Sequence, residues 1–168
     1  VWTAANAAEL GIDPTRLILA GASAGGGLAA ALALLARDRG DIPLAAQVLV
    51  YPMLDDRTAS TPSGRRFVLW SERDNQRAWD LYLGSADRNV AVPARRSDLG
   101  GLPPTWLGVG TCDLFHDETL DYARRLRAAD VPCEVEIAPG AFHAFDQLAP
   151  KAPTTQRFNT SLRTFLRT

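Results

Sequence analysis

Hydrophobic positions along the chain fall into two patterns, short unbroken runs and stripes that recur every three or four residues. Residues 16–21 (RLILAG), 45–51 (AAQVLVY) and 104–110 (PTWLGVG) are apolar runs closed by Gly or followed by Pro, which predicts buried parallel strands. Residues 133–138 (CEVEIA) alternate instead, Val135 and Ile137 against Glu134 and Glu136, which predicts a strand with one wetter face at or near a sheet edge.

Helical stripes lie between these runs. Leu28, Ala31, Leu32 and Leu35 predict a helix over 24–37 that packs through this face, with Arg37 and Arg39 at its end and Gly40 as its stop. Residues 117–129 begin with Asp117 and Glu118 and end with Arg124, Arg125 and Arg127, the charge order a helix dipole favours; Leu120, Ala123 and Leu126 form the inner stripe. Phe158, Leu162 and Phe165 predict a closing helix over 154–166. Between the second and third strands, residues 55–101 place Trp70, Trp79, Tyr82 and Leu83 in a helical spacing between polar loops, which predicts a cap-like insertion over one end of the sheet.

Strand alternating with helix predicts one α/β domain over residues 1–168, a three-layer sandwich with a mainly parallel sheet. Sites in such sheets form at the carboxyl ends of the strands.

Composition removes several function classes. Hydrophobic residues at 46% and charged residues at 22% belong to a chain that folds. A net charge of −1, with basic residues gathered only in pairs such as Arg65-Arg66, Arg95-Arg96 and Arg124-Arg125, offers no basic stripe for nucleic acid. No apolar run reaches the roughly 20 residues of a membrane helix. Cys112 and Cys133 make neither a disulfide framework nor a metal-ligand spacing, so the expectation is a reduced, cytoplasmic setting and no metal. The chain opens on Val1 rather than Met, which reads as a start that has been cut, with any targeting signal lost.

The candidate chemistry sits at three turns. Gly21-Ala22-Ser23-Ala24-Gly25 is a G-x-S-x-G pentapeptide between a predicted strand and a predicted helix, the context of a nucleophile elbow. Gly21 and Gly25 are expected to relieve crowding on either side of a strained Ser23, and the free amide of Ala24 at the helix start is a candidate oxyanion donor. A serine hydroxyl needs a base, and the base needs an acid. Of the two histidines, His143 follows the last strand in a loop between Phe142 and Phe145, whereas His116 lies at a helix start and is expected to be exposed. Asp113 ends the third strand and is the candidate acid; Asp117 and Glu118 lie one turn on, with Asp117 best placed to cap the helix. The order Ser23, Asp113, His143 is that of α/β hydrolases and not of chymotrypsin or subtilisin.

At these residues the sequence resembles the hormone-sensitive-lipase-like family of bacterial esterases and lipases. The family's G-D-S-A-G-G appears as Gly21-Ala22-Ser23-Ala24-Gly25-Gly26, its D-P-L-x-D-E as Asp113-Leu114-Phe115-His116-Asp117-Glu118, and its H-x-F as His143-Ala144-Phe145; residues 98–104 (DLGGLPP) match its approach to the acid-bearing strand. Ala22 and Leu114-Phe115 depart from the pattern. The resemblance implies an α/β-hydrolase fold and a carboxylic-ester hydrolase for short or medium acyl chains, working without cofactor. Ser23 would attack, His143 would shuttle the proton and Asp113 would orient His143. It covers only the C-terminal part of the family pattern. The first strands and the H-G-G-G loop that completes the oxyanion hole are not found. The chain is therefore expected to be a partial domain, weakly active by itself, that forms a homodimer over its open sheet edge. A non-catalytic ligand binder, a peptidase and a thioesterase share this fold; the intact Asp113 and His143 speak against the first.

Overall fold

A computed structural model describes residues 1–58 and 67–167; residues 59–66, part of the expected insertion and including the Arg65-Arg66 pair, lie outside the described residues. Four strands, β1 (Ile18–Ala22), β2 (Ala46–Val50), β3 (Thr105–Gly110) and β4 (Cys133–Ala138), form one sheet in the order β1-β2-β3-β4. All three pairings are parallel, and Ala20, Val48, Trp106 and Glu134 stand in one row across the sheet. Parallel neighbours need crossovers, and helices supply them.

After two single-turn helices, α1 (Trp2–Ala5) and α2 (Ala7–Leu10), the long α3 (Ala24–Arg39) joins β1 to β2. α4 (Glu72–Leu83) and α5 (Arg88–Ala91) lie between β2 and β3, α6 (His116–Ala128) between β3 and β4, and α7 (Phe145–Leu148) and α8 (Pro153–Phe165) follow β4. α3 and α6 cover one face, where Ala30, Leu34, Leu49, Leu107, Tyr122 and Leu126 share a core. α8 covers the other, where Phe158 and Phe165 meet Val48, Trp106 and Val109. The three-layer α/β sandwich predicted from the alternation is the architecture observed.

The turns and caps follow from local chemistry. Gly40 takes the left-handed conformation at φ 65° and ends α3, as its position predicts. Ser71 and Asp74 form a reciprocal capping box at the start of α4. Gly108 is required because a Cβ there would lie 2.2 Å from the Trp106 ring and 2.4 Å from Phe158.

Several expectations are corrected. α3 packs through Gly26, Gly27, Ala29, Ala30, Ala33 and Leu34, whereas Leu28, Leu32 and Leu35 are 51%, 48% and 41% exposed. Close approach decides the phase: a Cβ on Gly27 would lie 2.1 Å from the Met53 carbonyl oxygen, so the small residues face the sheet and the leucines face out. β1 is not buried but alternates between exposed and half-buried positions, because β2 is its one neighbour among the described residues. β4 does lie at an edge, yet Ile137 is 41% exposed alongside Glu134. In the stretch expected to be an insertion, Trp79 and Leu83 are buried while Tyr82 is half exposed. Trp79 and Leu83 pack with Val92 against Met53, Leu114 and Phe115, residues that follow β2 and β3, which sets α4 at the carboxyl ends of those strands. The buried carboxylate of Asp56 holds the same segment through Arg88 and Arg95, each at 2.6 Å.

Candidate active site

Three turns at the carboxyl edge of the sheet bring distant residues together. The first turn joins β1 to α3 and carries Ser23 at φ 57°, ψ −124°, a conformation that costs a non-glycine residue on the order of 1–3 kcal/mol. Backbone bonds hold it there. The Ser23 amide donates to Val50 at 2.9 Å, and its carbonyl accepts from Gly26, Gly27 and Met53 at 3.0, 3.2 and 3.0 Å. Gly21 is the glycine this turn needs, since a Cβ on it would lie 2.1 Å from the Gly25 oxygen. Gly25 has open space around its Cβ position, so the expectation of crowding on both sides holds for Gly21 alone. Gly26, outside the pentapeptide, is crowded by Pro52 at 2.8 Å. Ala24 opens α3, so its amide lacks a partner within the helix, and a half-exposed Ser23 stands beside it.

The second turn leaves β3 and carries Asp113, 2% exposed. Its Oδ1 accepts the Phe115 amide at 3.0 Å, which fixes the carboxylate and leaves Oδ2 to face the third turn. That third turn leaves β4 and carries His143, 7% exposed. Gly140 at φ 70° reverses the chain, its amide donates to Thr111 Oγ1 at 2.8 Å, and the Ala141 carbonyl accepts from Cys112 at 2.9 Å. The base loop is thus tied to the exit of β3.

The side chains then meet in series. Ser23 Oγ lies 2.9 Å from His143 Nε2, and His143 Nδ1 lies 2.9 Å from Asp113 Oδ2. The edges of two aromatic rings bracket the imidazole, Tyr51 at 4.9 Å and Phe115 at 5.2 Å between centroids. This arrangement can pass a proton from hydroxyl to imidazole while a buried carboxylate stabilises the cation that forms.

The other candidates go elsewhere. His116 is half-buried in the first turn of α6 and pairs with Asp117 at 2.7 Å. Asp117 does not cap that helix, whose cap position is Phe115; the Asp117 side chain is 87% exposed. Glu118 is buried and accepts the amides of Leu54 and Asp55 at 2.6 and 3.2 Å, and burial pushes its carboxyl up to about 8. Among the described residues no three His, Cys, Asp or Glu side chains gather to hold a metal ion.

Tyr51 escaped the sequence reading. It ends the second apolar run just before Pro52, where an aromatic residue reads as ordinary strand core. Beside the triad, Ala24, Gly27, Met53, Ala78, Trp79 and Tyr82 line an apolar cavity of about 100 Å³. A larger open groove of about 710 Å³ lies at the amino ends of the strands, next to Ile18, Ala46 and Phe165, on the opposite edge from Ser23.

Comparison with known proteins gives the family and the fold. Residues 1–147 match the family described by the alpha/beta hydrolase fold. The carboxylesterase NlhH of Mycobacterium tuberculosis is 36% identical over 164 residues, a match covering 90% of this chain and 50% of that protein. An acetyl-hydrolase of Streptomyces hygroscopicus is 33% identical, over 95% of this chain and 55% of its own length. The crystal structure of esterase LipW from Mycobacterium marinum superimposes with a TM-score of 0.92 at 41% identity, covering 98% of this chain and 53% of that one. The chain spans about half the length of the relatives it matches. With its parallel sheet, its strand-turn-helix around Ser23 and these relatives, the chain belongs to the alpha/beta hydrolase fold family, and the hormone-sensitive-lipase-like resemblance of its motifs is borne out.

Proposed function

We propose that this chain carries the nucleophile, base and acid of a serine carboxylic-ester hydrolase that works through an acyl-enzyme on small esters of short or medium acyl chain. The observation that carries the reading is the bonded series Ser23 Oγ, His143 Nε2, His143 Nδ1, Asp113 Oδ2, each step 2.9 Å, with its acid buried.

Ser23 attacks the ester carbonyl as His143 Nε2 takes its proton, and Asp113 holds Nδ1–H and balances the imidazolium. The same Nε2–H then protonates the leaving alcohol, and a water activated by His143 releases the acid. The Ala24 amide and the N-terminus of α3 face the developing oxyanion. The 168 residues contain no H-G-G-G loop, and one missing oxyanion donor costs on the order of 10² to 10³ in rate. Slow turnover is therefore expected of this chain by itself.

Substrate size follows from the apolar cavity beside Ala24, whose volume of about 100 Å³ suits a group of a few carbons. Its walls from Ala78, Trp79 and Tyr82 belong to the insertion, which acts as the cap of the site. The acetyl-hydrolase among the relatives fits a short acyl group. Pairing of two copies has its surface in the β1 edge and the outward leucines of α3, and sedimentation velocity tests it.

The deciding experiment is covalent labelling with a fluorophosphonate, followed by mass mapping of the modified peptide. Labelling at Ser23 that vanishes in Ser23→Ala and His143→Ala is the expected result. A chain that stays unlabelled, or labels elsewhere, refutes the proposal.

A further inference from the structure

His143 sits in a loop, and a loop base must be held to better than an ångström to be useful, because a misplacement of about 1 Å can cost on the order of 100-fold in rate. Asp113 holds one edge of the imidazole. The rest of the ring depends on what lies around it.

Tyr51 stands at that position. It follows β2 directly, is 1% exposed, and adopts φ 35°, sparsely populated for a bulky residue. Its amide donates to Gly108 at 2.6 Å, which fixes the turn. The result points the ring into the site, edge against the imidazole at 4.9 Å. Beyond the ring, the hydroxyl donates to Asp146 Oδ1 at 2.8 Å and accepts from Gln147 Nε2 at 3.2 Å. Asp146 and Gln147 belong to α7, the single turn that begins two residues after His143. The preceding residue, Ala144, is itself left-handed at φ 57°, yet its carbonyl accepts from Gln147 and Leu148 at 3.1 and 3.4 Å and the Phe145 amide donates to Phe142 at 3.2 Å, so α7 is tied by its backbone to the base loop and a hold on α7 reaches His143.

We propose that Tyr51 is a positioning residue for His143: its hydroxyl clamps the Asp146–Gln147 turn, and through it holds the imidazole within reach of Ser23. Tyr51 touches no substrate and transfers no proton. The clamp joins the end of β2 to the loop after β4, two strands that are not neighbours in the sheet, so no sheet hydrogen bond substitutes for it. The inference rests on the catalytic reading of Ser23 and His143.

The test uses the 168-residue chain and the second-order rate of fluorophosphonate labelling at Ser23, with thermal melting as the check on folding. Tyr51→Phe keeps the ring and removes the hydroxyl; Asp146→Ala removes the acceptor; Asp146→Asn keeps an acceptor oxygen. We expect Tyr51→Phe and Asp146→Ala each to label about tenfold more slowly. The pair combined should be no slower than either alone, and Asp146→Asn should stay within about twofold of the parent. A loss in Tyr51→Phe, which keeps the ring and its packing, joined to rescue by asparagine is the readout that mere core packing does not produce. Parental rates in Tyr51→Phe and Asp146→Ala, additive losses in the double variant, or an Asp146→Asn as slow as Asp146→Ala would each overturn the clamp while leaving Ser23 a nucleophile. An unlabelled parent would instead overturn the catalytic reading and the clamp with it. Should Tyr51→Phe not fold, the two Asp146 variants decide.

Discussion

Replacing Gly21 by alanine places a methyl carbon where the first turn of α3 already stands. The added Cβ would lie 2.1 Å from the Gly25 oxygen, 2.4 Å from its carbonyl carbon and 2.8 Å from the Gly26 nitrogen, where 3.0 Å is the closest such contacts come. All three atoms are main chain, so no side chain can swing aside, and β1 and α3 have to part by about 1 Å. The Ser23 carbonyl is bonded to Gly26, Gly27 and Met53, so the displacement reaches the nucleophile. The expected cost is about 1–3 kcal/mol of stability and a 10- to 100-fold slower labelling of Ser23. Gly25 is the internal control: nothing lies within 4 Å of its Cβ position, and alanine favours a helix by roughly 0.5–1 kcal/mol. Gly25→Ala should therefore melt at or above the parent. Urea titration and a fluorophosphonate time course measure both effects. A Gly21→Ala protein that keeps parental stability and labelling, or a Gly25→Ala protein hurt more than Gly21→Ala, would refute the reasoning.

Three other outcomes follow from the structure. Burial raises the Glu118 carboxyl from 4.5 to about 8, so the folded chain keeps a proton that the unfolded chain releases between these values. The stability this supplies is complete below about pH 4.5 and is lost as pH rises through 8; urea midpoints should fall less with pH in Glu118→Gln, and equal slopes in variant and parent would reject the assignment. Asp113→Asn preserves the shape beside His143 but removes the charge, so labelling of Ser23 should drop about 10³- to 10⁴-fold with melting little changed; a drop below tenfold would exclude the role given to Asp113. Phe158 stacks edge-on with Trp106 and Phe145, both at 5.1 Å, and Phe158→Ala should cost about 3–5 kcal/mol in chemical denaturation. A loss under about 1 kcal/mol would mean that α8 is not seated as described.

Much of the frame could be read from residue patterns because it depends on local rules. β2 and β3 are largely apolar runs because both faces are covered, and of the stripes on α6 and α8 Ala123, Leu126, Phe158 and Phe165 reach the core while Leu120 is only half-buried. Ser23, Asp113 and His143 could be singled out because each follows a strand, and parallel strands deliver their ends to one rim. What pattern alone misassigned was the inner face of α3, where distance outweighs hydrophobicity and glycine and alanine win the contact with the sheet. β1 looked like a central strand, since composition does not record how many neighbours a strand has. The part played by Tyr51 and the burial of Glu118 escaped pattern for a related reason: each side chain bonds a partner about 64 to 95 positions away, and no short-range spacing encodes such a pair.

The outer side of β1 carries a practical consequence. Ile18–Ala22 has half its amides and carbonyls turned away from β2, with Ile18 41% exposed and the α3 leucines close by in sequence. Among the described residues β2 is the one strand paired with it, and an edge of that kind is a template for another extended segment, so this margin is where self-association of the 168-residue chain is expected at high concentration. A lysine in place of Ile18 would poison the template by charge while sitting a full strand length from the triad, and turbidity on concentration should fall accordingly.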